Sequence, residues 1–586
     1  MLRAAAGLGK TLPSINVATW VSFPESNGIG RVSAAGLVSF GIRNAYTNSS
    51  KLGLLASLVG AIHGRPTMRR PTGVPESTAI GAAIAAIGAI GFRLPELLNP
   101  GVVNSDSAVV GLQGMHILRG EWHWFLWGSG YQTTADPAVA ALLFALCGAT
   151  PLVLMATALV GHLLAVLFTY LTLSRHLTTW QALLLVVPLI ASSAPTHTYT
   201  LHPPRQTAIT LVFAAIWLLD GSAKCRRPLL QFALGAGVAT LSWFSDPYAL
   251  VFAPALAILT LLCAWDGQPS RAILSRRLTS AAGGALIGAI PFVMCRLTPY
   301  ATSGPLSFSR ALLFHNWTLL KESCLPWVLG TRVLHQPMGA PDYIAWHPSL
   351  PFHAIQWLGA LVFAATACVS LVSIGRRQLP WELRRLGFAS AIVVFTTLAG
   401  FLVSVMPMDH YASRYLVSLV LVVPFLAAWV ARVVSTLTVA LVLAPMWASF
   451  AVCGWLGYEP LVRGVQIVDA GLSRDEAQLL RELAKRGVTH AMADYWAAYR
   501  LTFIFNEKVI VVPVHESQDR YAPYRRSFFE ASRYAYIFDH KRSEESQRTV
   551  QRRVQHGQDE KFTVGVFDVY IINRENSTPP ELVGSL

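Results

Sequence analysis

Long apolar segments recur through most of this chain, and they constrain its fold more than any other feature of the sequence. Because the hydrocarbon core of a bilayer contains no water, a backbone that crosses it must form its own hydrogen bonds, as a helix does. A helix that spans this core needs about 20 mostly apolar residues. The sequence therefore predicts an α-helical polytopic membrane protein with about 11 transmembrane helices. The segments that meet the length loosely lie near 78–97, 151–174, 179–194, 207–220, 229–244, 248–265, 279–296, 353–374, 387–406, 417–433 and 435–456.

Composition and charge agree with a membrane protein. Hydrophobic residues make up 53% of the 586 residues and charged residues only 13%. A formal charge of +15 would suggest nucleic-acid binding in a soluble protein, but here the Lys and Arg residues lie in short clusters between apolar segments. Clusters of that kind set membrane orientation. We therefore expect the lipid bilayer as a partner, and no nucleic acid.

The positions of the basic residues also predict topology, because cytoplasmic loops carry the excess of Lys and Arg. Alternation places Arg175, 224–227, 271–277 and 376–385 in the cytoplasm. This alternation of loops holds only if the apolar stretch 137–148 does not cross the membrane. The stretch is too short for a spanning helix and suits a helix that lies along the interface. The extracytoplasmic segments are then 98–150, 195–206, 245–247, 298–352, 407–416 and everything after about 457.

The two ends of the chain differ from the part between them. Residues 1–77 contain few acids and no spanning segment, which favours a disordered or misannotated leader over a transit peptide. Residues 78–456 form the predicted transmembrane domain. Residues 457–586 alternate helical and strand-like runs, among them an amphipathic helix at 474–486 and a hairpin over 562–573. They predict an extracytoplasmic α/β domain.

Two acids in the first outer loop are candidate catalytic residues. Asp106 follows the first span in Asn104-Ser105-Asp106, and Asp136 precedes the interfacial stretch. Each could simply cap a helix, because Ser and Asp are favoured at helix N-termini and Pro137 suits a first helical position. A carboxylate just above a bilayer could instead take a proton from an acceptor hydroxyl. The aromatic residues between the two acids favour an interfacial belt over a sugar platform.

The order of motifs in this loop resembles that of the GT-C glycosyltransferases, and most closely a bacterial branch related to protein O-mannosyltransferases and lipid A aminoarabinose transferases. The matching motifs are Asn104-Ser105-Asp106, Gly120-Glu121, Gly128 to Tyr131, and Asp136. The resemblance implies a GT-C fold with juxtamembrane helices over about 106–119 and 137–148. It implies catalytic roles for Asp106 and Asp136, and substrate binding by Glu121 and Tyr131.

Further motifs extend the resemblance to later outer segments. Asp246 lies in a short turn between spans, where it could equally begin the next helix. His410, Arg414 and Tyr415 match a motif whose arginine reaches the phosphate of the lipid carrier, and an interfacial anchor is the alternative. Where relatives carry a Tyr-Pro and an acid, this chain has His202-Pro203-Pro204-Arg205. Arg205 is therefore a second candidate phosphate contact or a capping charge.

The family would make the chain an inverting glycosyltransferase of the bacterial cytoplasmic membrane. Its partners would be a polyprenyl-phosphate sugar donor and a glycan, lipid or protein acceptor. The departure at Arg205 leaves open whether a divalent metal takes part, and no other cofactor is implied. A transporter is the first alternative, although the acids avoid the span centres and no internal repeat is apparent. A non-catalytic membrane scaffold is the second.

Overall fold

The computed structural model describes residues 75–98, 103–222, 225–267, 269–296, 308–335, 344–346, 349–376, 378–457, 467–468, 472–539 and 560–573. The predicted leader lies outside the described residues except for 75–77, which begin the first helix. All eleven predicted spans coincide with helices. The helices up to residue 456 are α1 Pro75–Leu97, α2 Ser105–Leu118, α3 Ala135–Cys147, α4 Pro151–Ser174, α5 Thr179–Ile190, α6 Ala194–Leu201, α7 Gln206–Gly221, α8 Pro228–Ser245, α9 Ala253–Ala264, α10 Arg271–Arg296, α11 Arg310–Leu319, α12 Leu325–Val328, α13 Leu350–Ser373, α14 Trp381–Val403, α15 Val417–Leu421, α16 Val423–Leu426, α17 Ala428–Val433 and α18 Thr436–Leu456.

Eight helical segments in the described residues are long and apolar enough to cross a membrane. Two of them include 3₁₀ turns, Pro247–Phe252 before α9 and His410–Leu416 before α15. The predicted spans near 179, 207 and 229 form α5, α7 and α8, which have 12, 16 and 18 residues and are not among the eight. The multi-span helical fold is confirmed.

The C-terminal region contains a small mixed α/β fold, as predicted. Its helices are α19 Arg474–Lys485, α20 Tyr495–Ile504 and α21 Ala522–Glu530. Short strand pairs β1 Val333–His335 with β2 Ile344–Trp346, and β3 Ile467–Val468 with β4 Leu472–Ser473, precede it. Its five-stranded sheet has the order β6-β5-β7-β9-β8 and comprises β5 His490–Ala493, β6 Ile510–Pro513, β7 Arg533–Asp539, β8 Glu560–Val564 and β9 Phe567–Asn573.

Local sequence explains these elements. Ser473 and Glu476 form a reciprocal capping box at the start of α19, as such a pair does before an amphipathic helix. The predicted final hairpin is β8 and β9, an antiparallel pair whose turn contains Gly565 at φ +55°. A left-handed backbone favours glycine at that position. Strands β5, β6 and β7 are parallel, and the β9 strand is antiparallel to β7.

Charged residues at or near four helix connections meet at one end of the helical bundle. Arg385 is buried and donates to Asp220 at 2.9 Å and to Asp266 at 3.0 Å. His176 lies 2.9 Å from Asp220, and Arg175 lies 3.4 Å from it. All of these residues lie within or close to the loops predicted to be cytoplasmic. The contacts place those loops together at one end, and the compartment they face stays a prediction.

Helix α7 connects this inner cluster to the opposite end of the bundle. It begins beside Arg205 and ends at Gly221, next to Asp220. Its 16 residues correspond to about 24 Å of helix at 1.5 Å per residue. Arg205 therefore lies far from Asp220, among the residues of the predicted outer loops.

Helix α20 of the C-terminal fold packs directly on α2. A Cβ added to Gly111 of α2 would lie 2.6 Å from the Phe503 ring of α20, so only glycine permits this approach. Phe503 also stacks on Phe144 of α3 at a centroid distance of 6.1 Å. The first outer loop and the C-terminal fold therefore share one apolar core.

Candidate active site

Helix α2 holds Asp106 in its first turn, but Asp106 does not cap the helix. The N-cap is Asn104, whose side chain accepts from the backbone N–H of Ser107 at 2.9 Å. Capping by Ser105 or Asp106 was the alternative to a chemical role, and it is wrong for both residues. The Ser105 hydroxyl donates instead to the carbonyl of Tyr495 at 2.5 Å.

The Asp106 carboxylate meets two side chains from the C-terminal fold. The Tyr495 hydroxyl donates to Oδ1 of Asp106, and Nη2 of Arg520 lies 3.6 Å from the same oxygen. The Asp106 side chain is 35% exposed. A carboxylate that is oriented by donors and still open to solvent can accept a proton from a substrate hydroxyl.

Arg520 is itself held in place by several contacts. Its Nε donates to the Tyr495 hydroxyl and its Nη1 to the carbonyl of Gly128, both at 3.0 Å. Its backbone N–H donates to the Tyr499 hydroxyl at 2.5 Å. Gly128 has φ +66°, and a Cβ there would lie 2.9 Å from Cα of Arg520. The glycine of the Gly128-to-Tyr131 motif therefore admits this arginine.

The loop between α2 and α3 is fixed by Gln113, which is fully buried. Its amide donates to the carbonyl of Phe125 at 3.0 Å and to the Thr134 hydroxyl at 2.5 Å. Its carbonyl oxygen accepts from the N–H of Trp127 at 3.0 Å. Both ends of the loop are thus tied to one side chain of α2. The loop can act as a rigid part of a site.

Asp136 is buried, and its carboxylate binds the start of a different helix from its own. It accepts from the N–H of Arg205, and from the N–H and hydroxyl of Thr207, each at 3.0 Å. The N-cap of α3 itself is Thr134, so the predicted alternative of a cap on α3 is wrong. A carboxylate at a helix N-terminus is stabilised by the unpaired N–H groups there. In this arrangement Asp136 positions Arg205 at the start of α7.

Arg205 adopts φ +112°, which is uncommon for a residue with a side chain. Its Nε lies 3.4 Å from Oδ2 of Asp246, and its guanidinium lies 5.4 Å from the ring centroids of both Tyr248 and Tyr415. Asp246 also caps the 3₁₀ turn that begins the next span, accepting from the N–H of Tyr248 at 2.7 Å. Asp246 therefore begins the next helical segment, as one interpretation had it, and its role in substrate binding stays a prediction.

Arg414 approaches the same Tyr415 ring. Its guanidinium lies 5.1 Å from the ring centroid, and its Nη2 donates to the Tyr415 hydroxyl at 3.1 Å. Its buried Nε has no hydrogen-bond acceptor within the described part of the chain. Tyr415 therefore lies between two guanidinium groups, only one of which has a carboxylate close by. The arrangement suits an anion.

Residues 128–132 connect the arginine pair to Asp106. Gly128 binds Arg520 beside Asp106, and four residues later Gln132 donates to Asp246 at 2.6 Å. Tyr131 lies in this loop, and partial burial raises its pKa. The charges of Arg205 and Arg520 both act to lower the pKa of Tyr131, but burial has the larger effect. One short loop thus contacts both the candidate base region, at Gly128, and the candidate anion site, at Gln132.

Glu121 belongs to a separate cluster that joins the first outer loop to the C-terminal fold. Nδ1 of His116 lies 2.8 Å from Glu121, and Nε2 of His116 lies 2.7 Å from Glu507. Glu507 also binds Arg119 and the Tyr524 hydroxyl, and the Tyr521 hydroxyl donates to Glu121 at 3.0 Å. The Trp127 ring stacks on Tyr521 at 3.9 Å. We assign Glu121 to docking rather than to substrate binding.

The predicted site residue His410 lies beside aromatic rings. Its ring lies 5.9 Å from Trp327 and 4.2 Å from Tyr411. No group of three His, Cys, Asp or Glu side chains in the described residues is arranged to hold a metal ion. The sequence indicated Asp106, Arg205, Asp246, Arg414 and Tyr415, and it missed Tyr495, Arg520, Gln113 and His116.

No protein-family model matches the chain, and no curated protein matches it in sequence. Among solved structures it is similar to ArnT from Cupriavidus metallidurans in the apo state, with 12% identity and a TM-score of 0.46 over 86% of this chain and 98% of that one. ArnT bound to undecaprenyl phosphate is similar at 12% identity and a TM-score of 0.45, over 87% and 99%. The apo oligosaccharyltransferase of Archaeoglobus fulgidus is similar at 11% and 0.45, over 78% and 69%. Likenesses at this level do not establish a shared activity.

The His116 cluster predicts that domain docking depends on pH. Burial lowers the pKa of His116, but hydrogen bonds and charges from Glu507 and Glu121 outweigh it and raise the pKa above 6.5. The Glu507 pKa is about 2, because bonds from His116, Tyr524 and Arg119 overcome its burial. A raised histidine pKa stabilises the fold fully below 6.5, and that contribution disappears as pH rises through the folded pKa. The lowered pKa of the Glu507 carboxyl stabilises the fold above pH 4.5, and that contribution is lost as the pH falls toward 2.

We therefore expect docking to be strongest between about pH 4.5 and 6.5 and to weaken above that range. Limited proteolysis or thermal unfolding, measured from pH 5 to 9, would check this. His116→Asn should be less stable at pH 6 and should lose the pH dependence. His315→Asn is the matched control, because His315 is exposed on α11 and is not part of this cluster. An unchanged profile in His116→Asn would contradict the assignment.

Proposed function

We propose that this chain is an inverting glycosyltransferase that moves a sugar from a polyprenyl-phosphate donor to a glycan, lipid or protein acceptor at the extracytoplasmic face. The observation that carries the proposal is the pair Arg205 and Arg414 on either side of Tyr415, connected through residues 128–132 to Asp106. Guanidinium groups suit phosphate oxygens because they bind in a bidentate manner. The motif resemblance to the GT-C family gives independent support.

The proposed reaction is a single displacement. The acceptor oxygen attacks the anomeric carbon while its proton passes to the Asp106 carboxylate. The bond from that carbon to the phosphate oxygen breaks, and its electron pair stays on the phosphate. The products are the glycosylated acceptor and polyprenyl phosphate. Arg414, with Arg205, stabilises the negative charge that develops on the leaving phosphate.

Asp136 acts indirectly in this scheme. Its buried carboxylate holds the backbone of Arg205 and Thr207, so we assign it to positioning Arg205 rather than to the proton transfer. Tyr131 and Asp246 would line the space between the base and the phosphate. The proposed domains stay those of the sequence, with 78–456 in the membrane and 457–586 outside.

The direct test is transfer by the purified protein. Radiolabelled sugars on polyprenyl phosphates of different sugar type would be offered in turn with envelope glycan and lipid fractions as acceptors. The proposal expects one donor to yield labelled acceptor and an equal amount of polyprenyl phosphate. Accumulation of one lipid-linked sugar in cells lacking the protein would identify the donor. Absence of transfer from every polyprenyl donor would overturn the proposal.

Topology is a separate expectation. Cys225 is exposed in a loop predicted to be cytoplasmic, and Ser517 is exposed in the C-terminal fold. In a Ser517→Cys variant with Cys147 and Cys368 replaced by Ser, we expect an impermeant thiol reagent to label position 517 in intact cells. Cys225 should react only after permeabilisation. Labelling of both from the same side would contradict the alternation of loops.

A further inference from the structure

Two residues of the C-terminal fold lie where they can control the candidate base. Tyr495 is the first residue of α20, and Arg520 lies in the loop before α21. Tyr495 and Asp106 are 389 residues apart in the chain. We propose that Tyr495 and Arg520 are positioning residues that hold the Asp106 carboxylate aimed at the acceptor. This inference rests on the proposed function.

Helix α20 is attached to the start of α2 through Ser105, the residue before Asp106. Ser105 donates its hydroxyl to the carbonyl of Tyr495 and accepts the N–H of Arg500 at 3.3 Å. Asp494 caps α20 by accepting from Trp496 at 2.8 Å, which fixes the direction of its first turn. The Tyr495 hydroxyl therefore reaches Asp106 from a backbone that is itself anchored to the Asp106 helix.

Both contacts to Asp106 fall on one oxygen. Within the described residues, the Tyr495 hydroxyl and the Arg520 guanidinium both meet Oδ1. The other oxygen, Oδ2, belongs to a side chain that is one-third exposed, so an acceptor hydroxyl can reach it. Burial, with the adjacent Asp106, raises the pKa of Tyr495, so its phenol remains a proton donor to the carboxylate at neutral pH.

Arg520 has several contacts in addition to its ion pair with Asp106. Its guanidinium lies 5.3 Å from the Tyr495 ring centroid while it donates to the Tyr495 hydroxyl and to the carbonyl of Gly128. Burial lowers the pKa of Arg520, but Tyr495 and Asp106 reverse the effect, so the group stays charged. The Arg520 guanidinium is thus a fixed group on the Oδ1 side of the Asp106 carboxylate.

Removal of either group should therefore leave the Asp106 carboxylate free to turn away from the acceptor. We expect Tyr495→Phe and Arg520→Gln each to lower kcat per folded molecule by roughly tenfold to a hundredfold and to leave the KM for the donor near its wild-type value, because a small misplacement of a reacting group can cost about a hundredfold in rate. Arg520→Lys should restore kcat in part, because lysine keeps the charge but loses the planar fork.

Two matched controls separate this effect from a general loss of structure. Tyr534→Phe removes a phenol from β7 of the same fold, and Arg526→Gln removes an exposed charge from α21. Both should keep the wild-type kcat and the wild-type KM for the donor. Thermal unfolding of all the variants would show whether each is folded at the assay temperature.

The outcomes distinguish the two proposals. If the wild type transfers sugar and Asp106→Asn is inactive, but Tyr495→Phe and Arg520→Gln keep the wild-type kcat, the positioning role is wrong and the transferase proposal stands. If Tyr495→Phe and Arg520→Gln lose activity only in proportion to their loss of folded protein, their role is structural and the inference is again overturned. If the wild type transfers no sugar from any polyprenyl donor, both proposals fail.

Discussion

Asp106→Asn should insert and fold normally, bind the donor, and transfer sugar at least about a hundredfold more slowly than the wild type. A lost general base typically costs 10²- to 10⁴-fold in rate. The amide keeps the size of the side chain, and its carbonyl oxygen can still accept from Tyr495. Because Asn104 supplies the cap of α2, the substitution leaves the helix terminus intact.

The matched control for this experiment is Asn104→Ala. It removes the cap and should cost about 1 kcal/mol of stability while leaving turnover per folded molecule nearly unchanged. Initial rates, normalised to folded protein and measured at saturating donor, would separate the two variants. Wild-type turnover by a folded Asp106→Asn protein would show that Asp106 is not the general base. Asp136 would then be the next carboxylate to test in that role.

Arg414→Ala should lower kcat/KM for the polyprenyl-phosphate donor by roughly tenfold to a hundredfold. That range corresponds to the loss of a hydrogen bond to a charged group, about 1.5–3 kcal/mol. Arg414→Lys should recover only part of the loss, because a point charge cannot bind two phosphate oxygens in parallel. Donor titrations at fixed acceptor would measure the effect.

Arg432→Ala is the control for a simple loss of charge, because Arg432 is exposed at the end of α17. Arg414 is a cleaner target than Arg205, whose removal would also leave the buried Asp246 without its cation. Equal donor use by the wild type, Arg414→Ala and Arg414→Lys would make Arg414 an interfacial anchor, and the phosphate site would need other residues.

The sequence predicted what local patterns determine. Helix α2 and helix α3 begin one to two residues before their predicted starts, and the hairpin of β8 and β9 begins two residues before its predicted start. The sequence left open whether Asp246 is a helix cap or a site residue. In the structure, Asp246 caps the next helical segment and also lies beside Arg205. Short-range rules identify such positions because a few neighbouring residues decide them.

Long-range partners could not be predicted in the same way. Nothing near Asp106 indicates Tyr495, and nothing near Arg205 indicates that Asp136 would hold its backbone. Both contacts depend on how distant helices pack, which one sequence does not specify. The one signal available was Gly128, since a glycine in a polar turn often marks a close approach by another segment. It did not reveal which residue would approach.

The contact between Asp106 and Tyr495 has a consequence for biosynthesis. At about 5–20 residues per second, the 389 residues between them take roughly 20 to 80 s to synthesise. During that interval the first outer loop has reached its side of the membrane, but α20 and Arg520 do not yet exist. The base of a nascent chain is therefore not held by its partners. The chain should acquire transferase activity only once its C-terminal fold has been made and has docked, so a partly synthesised protein in the membrane would be unable to consume donor.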